Sequence, residues 1–176
     1  LRLLGLDPTV PVAEPVDELL FGGSAGGGKS FGLRAAGVAI CLRWPNSHVP
    51  LFRKTAPQLQ DTHIRWAMSE IAPPVATFHV AQKEVRFANG SVLMFRHAEE
   101  DADVMKYNTS EWAALFIDQG EEFSEFALRF LRHRVRQATD RSDRQDWHPI
   151  IMISANPGGR SHQYLRDGFV NPGAGG

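Results

Sequence analysis

The chain has 176 residues, 43% hydrophobic and 22% charged, which fits one globular domain with enough apolar material for a core and excludes a disordered tail. With 19 Lys and Arg against 20 Asp and Glu the net charge is −1, so no global basic excess calls for nucleic acid and any such contact must be local. One cysteine, Cys41, excludes an intrachain disulfide and suits a reducing, intracellular compartment; no apolar run approaches the ~20 residues of a membrane span and residues 1–16 lack a secretory signal, so a soluble protein is expected.

Residues 1–16 carry three prolines and no period, which predicts an extended lead-in. The apolar triplet Leu19-Leu20-Phe21 predicts a strand, and GGSAGGGKS follows it at once. Phe31 to Arg43 is alanine-rich and free of proline, as a helix requires. A turn at Pro45-Asn46-Ser47 leads to Val49 to Arg53, expected as a short strand that Pro50 confines to an edge or a strand start. Thr55 can cap a helix that runs to Pro73-Pro74. Strands are expected at Thr77 to Val80, Glu84 to Phe87 and Ser91 to Arg96, with Asn89-Gly90 as a type I′ hairpin turn. Glu99 to Asp103 starts a short helix, Ala113 to Ile117 forms an apolar strand ending at Asp118, residues 124–138 form a helix, and Pro149 to Ser154 form another apolar strand. This alternation predicts an α/β fold with a mainly parallel central sheet flanked by helices and an attached antiparallel hairpin.

Gly23, Gly28, Lys29 and Ser30 satisfy the P-loop pattern GxxxxGK[ST] in the strand-to-helix setting that it needs. Glycines let successive backbone N–H groups turn toward phosphate oxygens, and the following helix offers the positive end of its dipole. The phosphate cradle is therefore assigned to Gly23, Ser24, Ala25, Gly26, Gly27, Gly28, Lys29 and Ser30, with Lys29 on the β- and γ-phosphates and Ser30 on Mg²⁺. A carboxylate is needed as a second ligand, and Asp118, ending a strand expected to lie beside the P-loop strand, supplies it. Gln119 can orient water but cannot take its proton. The general base is thus placed on Glu121 or Glu122, with Glu121 favoured because it comes first after Gly120. Asn156, at the carboxyl end of strand 149–154, is the candidate γ-phosphate sensor. On helix 124–138, Arg134 falls within the apolar stripe of Phe123, Phe126, Ala127, Phe130 and Leu131, where a charge needs a carboxylate or phosphate partner. Arg129, Arg132 and Arg136 form a basic stripe on the other side, continued by Arg141 and Arg144.

The ordered set of GGSAGGGKS, FRKTAPQL (52–59), EEDADVMKY (99–107), EWAALFIDQGEEFSE (111–125), HRVR (133–136) and SANPGGRSHQYLRDGF (154–169) resembles the ATPase domain of the large terminase subunit of tailed bacteriophages. The resemblance runs from about Leu19 to Phe169. It implies a P-loop NTPase of the ASCE type that hydrolyses ATP with Mg²⁺ to translocate double-stranded DNA. It implies a homo-oligomeric ring, the portal and small terminase subunit as partners, and a place in the host cytoplasm, transiently on the procapsid. Residues 1–18 would be the lead-in, 19–170 the ATPase domain, and 171–176 a tail or linker toward a nuclease domain. Related terminases commonly carry Asp-Glu where this chain has Asp118-Gln119, and many carry an arginine in the P-loop where this chain has Ser24 and Ala25. The arginine acting in trans is left unassigned, with Arg134 and Arg136 as its candidates. No second carboxylate cluster is present, so no nuclease activity is expected. Two alternatives stand beside this reading: another nucleic-acid-dependent P-loop ATPase of helicase or recombinase kind, and a nucleotide-binding module with little activity. A GTP switch is disfavoured because none of the four lysines sits in an NKxD-type motif.

Overall fold

Two short apolar runs build the centre of the sheet. In the computed structural model, which describes residues 16–23, 26–136 and 147–172, they become β6 (Ala114–Ile117) and β7 (Ile150–Ser154), and every residue of both is buried. Their side chains alternate between two cores. Ala114, Phe116, Ile150 and Met152 face one, with Leu33, Ala36, Ile40 and Cys41. Leu115, Ile117, Ile151 and Ile153 face the other, with Phe123, Leu128 and Leu131. A strand buried on both faces reads as a continuous apolar run, which is why neither segment shows a polar alternation.

The sheet has seven strands in the order β1-β7-β6-β2-β5-β4-β3. β1 (Glu18–Phe21), β7, β6, β2 (His48–Arg53) and β5 (Val92–His97) are mutually parallel; β4 (Glu84–Phe87) and β3 (Ala76–His79) continue it antiparallel. The expected mixed α/β sheet with an antiparallel extension is therefore present. Helix α1 (Lys29–Arg43) covers one face, burying Leu33, Ala36, Gly37, Ile40 and Cys41 at a spacing of three and four residues. Helix α4 (Glu125–Arg132), capped by the Ser124 hydroxyl on the Ala127 N–H, covers the other with Ala127, Leu128 and Leu131.

Four expectations are corrected. First, β6 does not lie beside β1: β7 pairs with both, so Asp118 is one strand further from the glycine loop than adjacency implies. Apolar runs identify strands but carry no neighbour order. Second, β2 is a central strand despite Pro50. Its ladder with β6 covers only Leu51 and Phe52, so the absent Pro50 N–H costs little pairing, and the Ala113 carbonyl accepts instead from the Trp147 indole. Third, the β4–β5 turn is not type I′. Gly90 N donates to Phe87 O and Phe87 N to Ser91 O, with Gly90 at φ 83°, which makes a three-residue loop ending in a left-handed glycine. Asn89 is occupied elsewhere, its amide donating to Cys41 O. Fourth, the helix expected at 124–138 ends at Arg132. The chain then turns so that Val135 bridges to Trp112, with Trp112 N donating to Arg134 O and Arg136 N to Trp112 O. Tertiary pairing overrides helical propensity there.

Residues 1–15 of the lead-in, Ser24 and Ala25 of the glycine loop, residues 137–146 with Arg141 and Arg144, and 173–176 of the tail lie outside the described residues.

Candidate functional site

Parallel strands end at one rim of the sheet, so the segments that follow β1, β6 and β7 meet there. Glycines at positive φ (Gly23 129°, Gly26 82°, Gly28 72°) shape the loop from β1 into α1, and Gly28 is the residue that starts the helix. Lys29 is buried and its Nζ donates to Gly23 O at 2.9 Å, folding the side chain back along the loop. Ser30 lies at the start of α1 and donates from Oγ to Asp118 Oδ2 at 2.8 Å. Those two residues are 88 positions apart in sequence, and the fold brings them together.

Asp118 is the most heavily bonded side chain of the site. It is 1% exposed. Oδ2 accepts from Ser30, from His63 Nε2 at 3.0 Å and from Arg53 Nη1 at 3.3 Å, while Oδ1 accepts from Ser154 Oγ at 2.5 Å. Burial alone would raise its carboxyl, but the bonds from His63, Ser154 and Ser30 outweigh burial and hold it well below the usual carboxylate range. His63 is itself pushed below the usual imidazole range by burial, against the pull of Asp118. A neutral imidazole donating from Nε2 is the form that fits, since its Nδ1 is buried with no hydrogen-bond partner among the described residues.

A cavity of about 330 Å³ opens between the loop and this carboxylate, lined by Gly26 to Phe31, Arg34, Asp118, Gln119 and Asn156. Arg34, one helical turn after Ser30, lays its guanidinium 5.2 Å over the Trp66 ring. Ser30 and Asp118 present a hydroxyl and a carboxylate on the cavity wall, hard oxygen donors of the kind Mg²⁺ accepts. Among the described residues no group of three or more His, Cys, Asp or Glu is placed to hold a metal ion. An ion here would complete its shell with phosphate oxygens and water, as Mg²⁺ commonly does, so the residues present fit that ion. A second, almost wholly apolar cavity of about 300 Å³ reaches Leu20, Gly22, Gly23 and Leu165, and Asn156 lines both.

The two candidate bases take different positions. Gln119 sits in the left-handed region (φ 58°), its N–H donating to Ser154 Oγ at 3.1 Å, and of Gln119, Glu121 and Glu122 it is the one that lines the cavity. Glu121 is buried behind it. Its Oε1 accepts from Asn156 Nδ2 at 2.8 Å, while Oε2 is buried without a partner among the described residues. Glu122 is half-buried and accepts from Gln58 Nε2 at 3.3 and 3.2 Å. The sensor candidate and the first base candidate are thus hydrogen-bonded to each other.

The arginines of the expected helix sit apart from the cavity. Arg134 donates to Asn108 O and stacks 5.1 Å over Phe130; it lies beyond the helix whose apolar stripe was expected to hold it. Arg136 pairs with Glu111 at 2.9 Å. Arg129 pairs with Glu125 at 2.8 Å, and Arg132 with Glu18 and the Tyr164 hydroxyl. The expected basic stripe is therefore neutralised locally at each of these three positions. Arg34, Arg53 and His63 were not foreseen. Arg53 lies within the FRKTAPQL segment, whose sequence alone carries no sign of its role, and nothing in the spacing of His63 points toward Asp118.

No protein-family model matches the chain, and no curated protein does. Its fold is similar to that of the large terminase from a thermophilic bacteriophage. Against one crystal form of that protein the TM-score is 0.72 at 14% identity, covering 96% of this chain and 40% of that one. Against another it is 0.62 at 15% identity, covering 97% and 41%. At these identities the likeness is one of fold, and the chain spans about two fifths of the terminase's length.

Proposed function

We propose that the chain is a P-loop ATPase domain of the ASCE type, which hydrolyses ATP with Mg²⁺ to drive double-stranded DNA in the manner of a phage large terminase. The observation that carries this reading is the meeting of Ser30 and Asp118 at 2.8 Å on a cavity walled by the glycine loop. The position of β7 between the loop strand and the Asp118 strand supports the ASCE assignment, because Asn156, just beyond β7, lines the same cavity as the phosphate loop and the carboxylate. Lys29 would meet the β- and γ-phosphates, and Ser30 and Asp118 would hold Mg²⁺, which neutralises charge on the transferred phosphoryl group. Glu121 or Glu122 would take the proton of the attacking water, which Gln119 orients. Double-stranded DNA, a ring of identical subunits, the portal and the small terminase subunit are the partners that this reading implies. Arg134 or Arg136 would complete a neighbour's site, and the work would be done in the host cytoplasm and on the procapsid. Among the described residues no helix is long and apolar enough to cross a membrane.

A second reading is favoured by Gln119: with an amide rather than a second carboxylate next to Asp118 on the cavity wall, the domain would bind nucleotide and turn it over slowly. ATP turnover against protein concentration, with and without duplex DNA, on the wild type and Lys29→Ala, tests both. Turnover per subunit that rises with concentration and vanishes in the variant is expected. Tight Mg·ATP binding with no turnover at any concentration favours the second reading. Absence of nucleotide binding removes both.

A further inference from the structure

One helical run touches the candidate site at three points. It is formed by α2 (Ala56–Leu59), a π-helical segment (Gln60–Ile64) and α3 (Arg65–Glu70). Gln58 donates to Glu122, His63 bonds Asp118, and Trp66 lies under Arg34. Thr55 and Gln58 form a reciprocal cap that fixes its start, with Gln58 N donating to Thr55 Oγ1 and Thr55 N to Gln58 Oε1. The extra residue per turn in the π segment departs from regular α spacing where His63 turns inward. Such bulges cost hydrogen-bond geometry and concentrate at functional positions. His63 is fully buried, its ring stacked on Phe95 at 6.2 Å and 12°. Among the described residues, an imidazole buried at that cost has one hydrogen-bond partner, and it is the Asp118 oxygen that Ser30 also touches.

We propose that His63 is a positioning residue for the metal carboxylate: by donating from Nε2 it fixes the Asp118 rotamer in which Oδ2 faces Ser30, and it keeps that oxygen, which Arg53 also touches at 3.3 Å, from turning wholly to Arg53. The inference rests on the proposed Mg·nucleotide site. Arg53 is the competitor that gives His63 its importance. At 3.3 Å from Oδ2 it is a cation beside the oxygen that a metal needs, and a carboxylate left to it alone forms a closed ion pair. Carboxylates that bind metals are held by such outer hydrogen bonds, whose loss commonly costs about 10- to 100-fold in metal affinity.

The test is made on the 176-residue chain with a fluorescent, non-hydrolysable ATP analogue. The analogue's affinity is titrated against Mg²⁺ in the wild type, His63→Leu and His63→Gln. Leu fills the pocket against Phe95 without a donor; Gln returns a donor at a similar reach. The Mg²⁺ midpoint is expected to rise about 10- to 100-fold in His63→Leu and to return toward the wild-type value in His63→Gln, with affinity in EDTA unchanged in both. An unchanged midpoint in a folded His63→Leu overturns the proposal. So does an equal loss in EDTA, which would mean a general structural role. A wild type that binds the analogue equally with and without Mg²⁺ overturns it while leaving nucleotide binding standing, and a wild type that binds none removes both. Should His63→Leu fail to fold, the wild-type His63 imidazole N–H resonance decides: saturating Mg²⁺ added to the analogue complex should shift it, and an unmoved resonance overturns the proposal.

Discussion

Asn156 Nδ2 donates to Glu121 Oε1 at 2.8 Å, joining the segment just beyond β7 to the first glutamate after β6. Asn156 also lines the cavity, so the pair links the cavity wall to a carboxylate buried behind it. A change at the cavity can thereby reach Glu121 without any backbone movement. If Glu121 is the base, Glu121→Gln lowers kcat by about 10² to 10⁴ while ATP still binds. Asn156→Ala, which frees the carboxylate from its partner, lowers kcat by less. Steady-state turnover with a separate binding measurement checks this. Full activity in Glu121→Gln with loss in Glu122→Gln would move the role to Glu122.

Lys29 is 8% exposed and held at the loop by its bond to Gly23 O. Removing one partner of a buried charge-assisted contact costs about 2 to 5 kcal/mol. Lys29→Ala is therefore expected to weaken ATP at least about 30-fold. Calorimetric titration with ATP and, separately, adenosine distinguishes the mechanism, since adenosine has no phosphate for Lys29 to meet. Equal losses for both ligands would mean that the loop had collapsed.

The parts of the site legible in the sequence are those in which chemistry and backbone are local. Gly23 to Ser30 is one continuous string, and Asp118 closes an apolar strand; each can be read from its own neighbours. Arg53 and His63 could not be read in this way. They lie 65 and 55 positions from Asp118, and a π-helical segment in the second case brings the ring inward. The sheet order was hidden for a related reason: the pattern of Ile150 to Ser154 shows a doubly buried strand but not that it pairs between β1 and β6. The end of α4 at Arg132 is not legible in the sequence because the pairing of Val135 with Trp112 is a long-range event.

Gly120 separates Gln119 from Glu121 and is itself buried. A Cβ there would stand 2.4 Å from Ile153 Cγ2, well inside contact distance, with a β-branched neighbour that has little freedom to yield. Gly120→Ala is expected to cost about 1 to 3 kcal/mol, lowering the melting temperature by about 2 to 10 °C. Because the strain falls between the cavity glutamine and the buried acid, turnover should fall further than stability explains. An unchanged melting temperature would show that Ile153 moves aside freely.

Glu84 holds two arginines, Arg96 at 2.5 Å and Arg86 at 3.2 Å, on the outer part of the sheet. Burial would raise its carboxyl, but the two guanidiniums outweigh burial and set it below the usual carboxylate value. A carboxyl lowered on folding adds stability that is present above its unfolded pKa of about 4.3 and is lost as pH falls through the folded value. Glu84→Gln should therefore be less stable than the wild type at pH 7, by about 1 kcal/mol or less for a pair at the protein surface. The two melting curves should converge on acidification below about pH 4. A difference that stayed constant with pH would assign the effect to packing.

Arg34 joins Lys29 as a basic side chain of α1 on the cavity wall shared with Ser30 and Asp118, and its Nε is buried without a hydrogen-bond partner among the described residues. Burial lowers its guanidinium from the usual value, and the charge of Asp118 opposes that shift. A bound phosphate would supply a further partner. Arg34→Gln should therefore raise the KM for ATP about 10-fold or more, the worth of a hydrogen bond to a charged group. Arg34→Lys keeps the charge but loses the planar stack on Trp66, so it should recover part of that loss and not all of it. Full recovery in the lysine variant would reduce Arg34 to a point charge. If both variants bind and turn over ATP as the wild type does, Arg34 serves Trp66 and the helix beneath it, and the positive partner of the phosphates is Lys29 alone.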